Sequence, residues 1–92
     1  MSDSPPLRVR LRQGIPTRVI VDGVRCRFGI NSWEADEQLI HFTVLREGDL
    51  TGFDVREGDQ VDAVGRTWTV SELTVPESGA AKLTLDEAVT PA

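Results

Sequence analysis

The chain offers one thiol and one imidazole, Cys26 and His41. A nucleophile and its base must lie within hydrogen-bond reach of each other. In a strand successive side chains point to opposite faces. Alternation through Val24–Ile30 turns Cys26 inward, and alternation through Gln38–Leu45 turns His41 outward. The reading is therefore a packed core thiol and a surface imidazole rather than a catalytic pair. Six carboxylates, Glu47, Asp49, Asp54, Glu57, Asp59 and Asp62, crowd onto neighbouring turns. Their spacing matches no calcium loop, in which fixed positions deliver six or more oxygens. They read as solvated turns. One cysteine and one histidine cannot close a structural zinc site. There is no glycine-rich phosphate loop leading into a helix. No cofactor is expected.

Arginine carries the remaining chemistry. Nine of the ten basic residues are arginine, and six of them fall before residue 31 with two acidic residues; the rest of the chain holds thirteen acidic and four basic residues. Arginine grips carboxylates with a planar, two-pronged donor set that lysine lacks. Arg8, Arg10 and Arg12 alternate with Leu7, Val9 and Leu11, which gives a strand with one cationic and one apolar face. Arg18 falls opposite Arg27 in the next hairpin. Like charges placed so destabilise a sheet unless an acid lies between them. That acid must come from elsewhere in the fold or from a partner. Arg8, Arg10, Arg12, Arg18 and Arg27 are expected to form one cationic face. Two bland explanations compete: the halves of the chain neutralise each other, or arginine follows genome composition. The net charge of −5 and the five aromatic residues argue against nucleic acid, whose modules combine a basic surface with stacking rings or a reading helix.

The elements that position these groups read as strands throughout. Asp22-Gly23 is a strong hairpin signal. It sets Val21 against Val24, Val19 against Cys26 and Thr17 against Phe28. The second strand of that hairpin runs on through Asn31-Ser32-Trp33 and turns at Ala35-Asp36-Glu37; a short helical turn from Ser32 is the alternative. Ile40, Phe42 and Val44 face the core, while Leu39, His41, Thr43 and Leu45 take the outer side. Parity puts Ile20 and Trp33 there too. Trp33 is either a ring lying over one end of the fold or a contact anchor, since tryptophan is enriched at binding hot spots.

Arg46-Glu47-Gly48-Asp49 and Arg56-Glu57-Gly58-Asp59 read as one turn chemistry used twice. Between Gln60 and Val70, a type II′ loop at Gly65-Arg66 keeps the β-branched Val64 out of positive φ. It pairs Val64 with Thr67, Ala63 with Trp68 and Val61 with Val70. A bulge near Ser71-Glu72 resets the phase before Leu73 and Val75. Lys82–Leu85 is the last strand, with Leu83 and Leu85 on one face.

Leu11-Arg12-Gln13-Gly14, together with Gly58-Asp59 and Gly65-Arg66-Thr67-Trp68-Thr69-Val70, resembles small single-domain β proteins of actinobacteria over most of the chain. The resemblance implies an all-β domain and carries over no functional residue.

The sequence thus predicts one domain across residues 1–92, ordered over about 7–87 and flexible at 1–6 and 88–92. The fold class is all-β, a small barrel or sandwich of about six to eight antiparallel strands. A start with neither a basic segment nor an apolar one predicts no signal peptide. No apolar run reaches membrane-spanning length. The lone cysteine suits a reducing compartment. The expectation is a cytoplasmic, non-catalytic interaction or assembly module. It would bind a protein partner or its own copies through Arg8, Arg10, Arg12, Arg18, Arg27, Trp33 and His41. A small-molecule-binding barrel, or an accessory protein of an enzyme system, is the alternative.

Overall fold

The computed structural model describes residues 6–77 and 79–88. Apart from Pro6 and Ala88, the ends expected to be flexible lie outside them. The described residues form eight strands: β1 Arg8–Arg12, β2 Thr17–Val21, β3 Val24–Glu34, β4 Leu39–Arg46, β5 Asp49–Val55, β6 Gln60–Ala63, β7 Arg66–Thr74 and β8 Lys82–Glu87. They make two antiparallel sheets, ordered β1-β8-β7-β6 and β2-β3-β4-β5. The two sheets do not join into a closed barrel, and the Cα frame measures 46 × 30 × 17 Å. The architecture is an open sandwich.

The space between the sheets is filled by side chains that alternate along the strands. Trp68, Phe28, Phe42, Ile40, Leu83 and Leu85 are fully buried there. Phe28 meets Trp68 edge-on, with ring centroids 5.8 Å apart, a favoured geometry for the opposed charge of ring face and ring edge. The Trp68 indole N–H donates to the Ala63 carbonyl at 3.0 Å. This satisfies the one polar atom that its burial would otherwise strand.

The hairpin of β2 and β3 has the expected register, with Arg18 opposite Arg27 and Val19 opposite Cys26. The β6–β7 hairpin differs. Its loop is Val64-Gly65, and Ala63 pairs with Arg66, Asp62 with Thr67 and Val61 with Trp68. Val64 has φ +50° and Gly65 φ +78°. Two positive φ values describe a type I′ loop, whose twist matches that of the flanking strands. The left-handed backbone costs a side-chain-bearing residue about 1–2 kcal/mol. Val64 offsets this by packing half-buried against the core. The partners move by two residues, which preserves facing, so Val61, Ala63, Trp68 and Val70 still point inward.

The two Arg-Glu-Gly-Asp segments also part ways. Glu47 and Gly48 both have positive φ and close the β4–β5 hairpin, with Arg46 opposite Asp49. In the second segment only Gly58 does. The Arg56 N–H donates to the Asp59 carboxylate at 2.9 Å, and the Asp59 N–H to the Arg56 carbonyl at 3.1 Å. A type I′ loop joins two strands of one sheet; the second turn carries the chain from one sheet to the other.

Candidate interaction surface

Each sheet turns one face away from the core, and the arginines divide between the two. Arg8, Arg10 and Arg12 lie on β1, opposite Asp86, Thr84 and Lys82 of β8. Arg18 and Arg27 lie on β2 and β3 of the other sheet. The single cationic face expected from alternation does not form. Alternation fixes facing within a sheet, but the Gln13–Pro16 turn carries the chain from one layer to the other between β1 and β2. Arg8 is engaged in its own sheet: its Nε lies 2.6 Å from Asp86 Oδ1. That hydrogen bond holds the Asp86 carboxyl below its ordinary range.

On the β2-β3-β4-β5 sheet the outward positions line up in register. Arg18, Arg27, Leu45 and Leu50 form one row across the four strands, and Ile20 faces Arg25 in the next. Between β2, β3 and the β4–β5 turn runs an open groove of about 620 Å³, lined by Arg18, Ile20, Arg25, Arg27, Leu45 and Glu47 among others. Ile20 is 65% exposed and Leu50 67%. Among the described residues Arg18, Arg25 and Arg27 form no salt bridge, and Glu47 at the rim bonds none of them. The acid that the Arg18–Arg27 pairing requires is therefore not supplied by these residues.

Trp33 stands away from this surface. One extra residue at Asn31 shifts the β3–β4 register between Ile30 and Ser32. The bulge reverses the phase, so Trp33 falls opposite Ile40 on the inner side and packs half-buried against the core. The assignment of Trp33 to the outer face is corrected by that bulge. The β-strand through Ser32 also excludes a helical turn there. Leu39, expected outward, is buried apart from the main core cluster.

His41 does point outward, as its parity requires. Its Nδ1 meets Asp54 of the adjacent strand and its Nε2 lies 3.4 Å from Glu34. The hydrogen bond to Asp54, above all, raises the imidazole's affinity for its proton above the ordinary histidine value. Carboxylates on both sides of the ring favour its cationic form, in which both nitrogens are donors. When protonated, His41 forms a cross-strand ion pair with Asp54. Ser32, His41 and Asp54 are neighbours across β3, β4 and β5, but the second ring nitrogen is turned to Glu34. Cys26 is buried opposite Arg46, on the other face from His41, so the two make no pair. Among the described residues no three side chains are placed to hold a metal ion.

Three participants escape the sequence reading. Arg25 joins the groove because it faces Ile20, a position that the Asp22-Gly23 hairpin already implied. Asp54 meets His41 only because β5 adds to the sheet edge, and Gly52 in its middle hides that strand's alternation. Arg66 becomes a strand residue once the loop shifts to Val64-Gly65. Its Nη1 lies 2.6 Å from Glu87 and its Nη2 2.7 Å from Asp22.

A small all-β sandwich is the class that the fold defines. Within that class the chain belongs to DUF6406, a family of unknown function, whose match covers residues 7–88. No curated protein and no solved structure is significantly similar to it. Among the described residues no helix is long and apolar enough to cross a membrane.

Proposed function

We propose that this chain is a non-catalytic interaction or assembly module of the cytoplasm, which binds a protein through the outer face of the β2-β3-β4-β5 sheet. The observation that carries the reading is the group of arginines at Arg18, Arg25 and Arg27, on two adjacent rows of the sheet. They flank an open groove with Ile20 and Leu45, and no carboxylate of the described chain neutralises them. The partner this surface suits is a polypeptide segment that alternates acidic and apolar side chains. The carboxylates would meet the guanidinium groups, and the apolar side chains would cover Ile20 and Leu45. Exposed charge of this kind steers encounter and selects partners more than it adds affinity. The packed interior supports this reading over a small-molecule barrel, because Trp68, Phe28 and Phe42 occupy the space a ligand would need.

The test is capture of native partners at low salt, followed by elution as ionic strength rises toward about 1 M, where charges are screened beyond about 3 Å. The Arg18→Glu/Arg27→Glu variant is expected to lose its captured protein while keeping its fold, since exposed charges contribute little to stability. The Arg10→Glu/Arg12→Glu variant, on the other sheet, is expected to keep it. Identical behaviour of the two variants would overturn the assignment of the face.

A further inference from the structure

We propose that the partner of this sheet is a second copy of the chain, whose β2 edge pairs antiparallel with the β5 edge so that one sheet continues into the next. This rests on the reading of the arginine-bearing sheet as the interaction surface, and it takes that surface at its β2 edge, where Arg18 and Ile20 lie.

Among the described residues neither edge carries a further strand; at the start of β2 the Thr17 hydroxyl donates to the Arg10 carbonyl of β1 at 2.8 Å. Within the described residues β2 pairs only with β3, and β5 only with β4. An unpaired edge presents a row of backbone donors and acceptors ready to template another strand. The two edges of the other sheet are guarded: β1 carries Arg8, Arg10 and Arg12, and β6 spans only four residues. In contrast β5 is seven residues long, with five of them exposed, and contains no Lys, Arg or Pro. Successive neighbours in β2-β3-β4-β5 are antiparallel, so β2 and β5 run in opposite directions. A copy translated across the sheet therefore sets its β2 antiparallel to β5, with the outer faces on the same side.

Charge selects this pairing over its alternatives. The β2 edge carries Arg18 and the β5 edge carries Asp49 and Asp54. Joining β5 to β5 would oppose carboxylates, and joining β2 to β2 would oppose arginines. One register satisfies both faces. Arg18 opposite Asp54 pairs opposite charges on the outer face; the Asp54 side chain is 67% exposed and retains room for a second partner besides His41. Val19 then falls opposite Phe53, both half-buried and on the inner side. Ile20 falls opposite Gly52, which has no side chain to obstruct it, and lies diagonal to Leu50. Diagonal neighbours of this kind remain within reach of long side chains. Ile20 and Leu50 are two of the three large hydrophobic residues exposed among those described. Because the two edges differ, the contact is heterologous and repeats, which gives a ring or an open filament.

A charge-swap experiment tests this. Wild-type chain is followed by sedimentation at low salt as its concentration rises, and it is expected to form a ladder of assemblies. In the proposed register Arg18→Asp sets acid against acid at the 18–54 pair, and Asp54→Arg sets arginine against arginine. Each is expected to weaken association by about tenfold or more. An equimolar mixture of the two is expected to restore it, because every edge then finds an opposite. Circular dichroism establishes that each variant is folded. Should Asp54→Arg fail to fold, Leu50→Ser, at an exposed position of the same edge, is expected to weaken association by removing the cover of Ile20. Full association of Asp54→Arg or of Leu50→Ser, or a mixture that stays dissociated, would overturn the edge pairing. So would a wild-type chain that stays monomeric throughout. In that last case the capture experiment still decides whether the arginine face binds a different protein.

Discussion

His41 shows how a single residue can take its character from the strand beside it. Alone on β4 it is a surface imidazole; with β5 in place it sits between Asp54 and Glu34 and keeps its proton more firmly. A histidine whose folded-state proton affinity is raised stabilises the fold fully below the unfolded value, near pH 6.5, and loses that contribution as pH climbs through the raised folded value. The advantage of wild type over His41→Gln in denaturant midpoint should therefore be greatest in mild acid and shrink toward alkaline pH. An advantage that grows with pH would show that the imidazole is neutral. Trp68 and Trp33 provide a second comparison. Trp68→Ala should cost about 3–5 kcal/mol, the usual consequence of emptying a large buried site. Trp33→Ala should cost clearly less, since Trp33 is only half-buried beside the core. Equal losses in chemical denaturation would mean that Trp33 is as deeply packed as Trp68.

At the scale of elements, alternation and glycine turns were the legible part. The Asp22-Gly23 hairpin, the Ser71 bulge and the inward set of β4 and β7 all follow from local pattern. Two departures have local causes that pattern does not reveal. The bulge at Asn31 reverses the phase of Trp33, and the glycine that could announce it, Gly29, lies two residues earlier. The Val64-Gly65 loop accepts strain at Val64 because the type I′ twist suits the flanking strands. That shift places Arg66 where it ties the β2–β3 turn at Asp22 to β8 at Glu87, and so links the two sheets. Arg66→Met is expected to lower the thermal midpoint more than Arg56→Met. Arg56 is more exposed than Arg66 and, among the described residues, pairs only with Glu37, at 3.5 Å. Equal midpoints would reduce the Arg66 bridge to an ordinary surface contact. The arginine face marks the limit of pattern reading: alternation within a strand is visible in sequence, but which sheet a strand joins is decided by the whole fold.

For the whole molecule, charge is divided by layer. On β1, Arg8 is bound to Asp86, and among the described residues Arg10 and Arg12 make no salt bridge; on the other sheet neither do Arg18, Arg25 and Arg27. The acidic residues of β5 then belong to the same sheet as those arginines, at its opposite edge. This division turns a net charge of −5 into a molecule with a direction along one sheet. The most direct measurement of that claim is the amide chemical-shift map of the isotope-labelled chain, followed from dilute to concentrated solution at low salt. The account predicts concentration-dependent shifts at Arg18, Ile20, Arg25, Arg27 and Leu45 and along Asp49–Val55, which fade as salt rises toward about 1 M. Shifts centred instead on Arg10, Arg12 and Lys82 of the other sheet would contradict it.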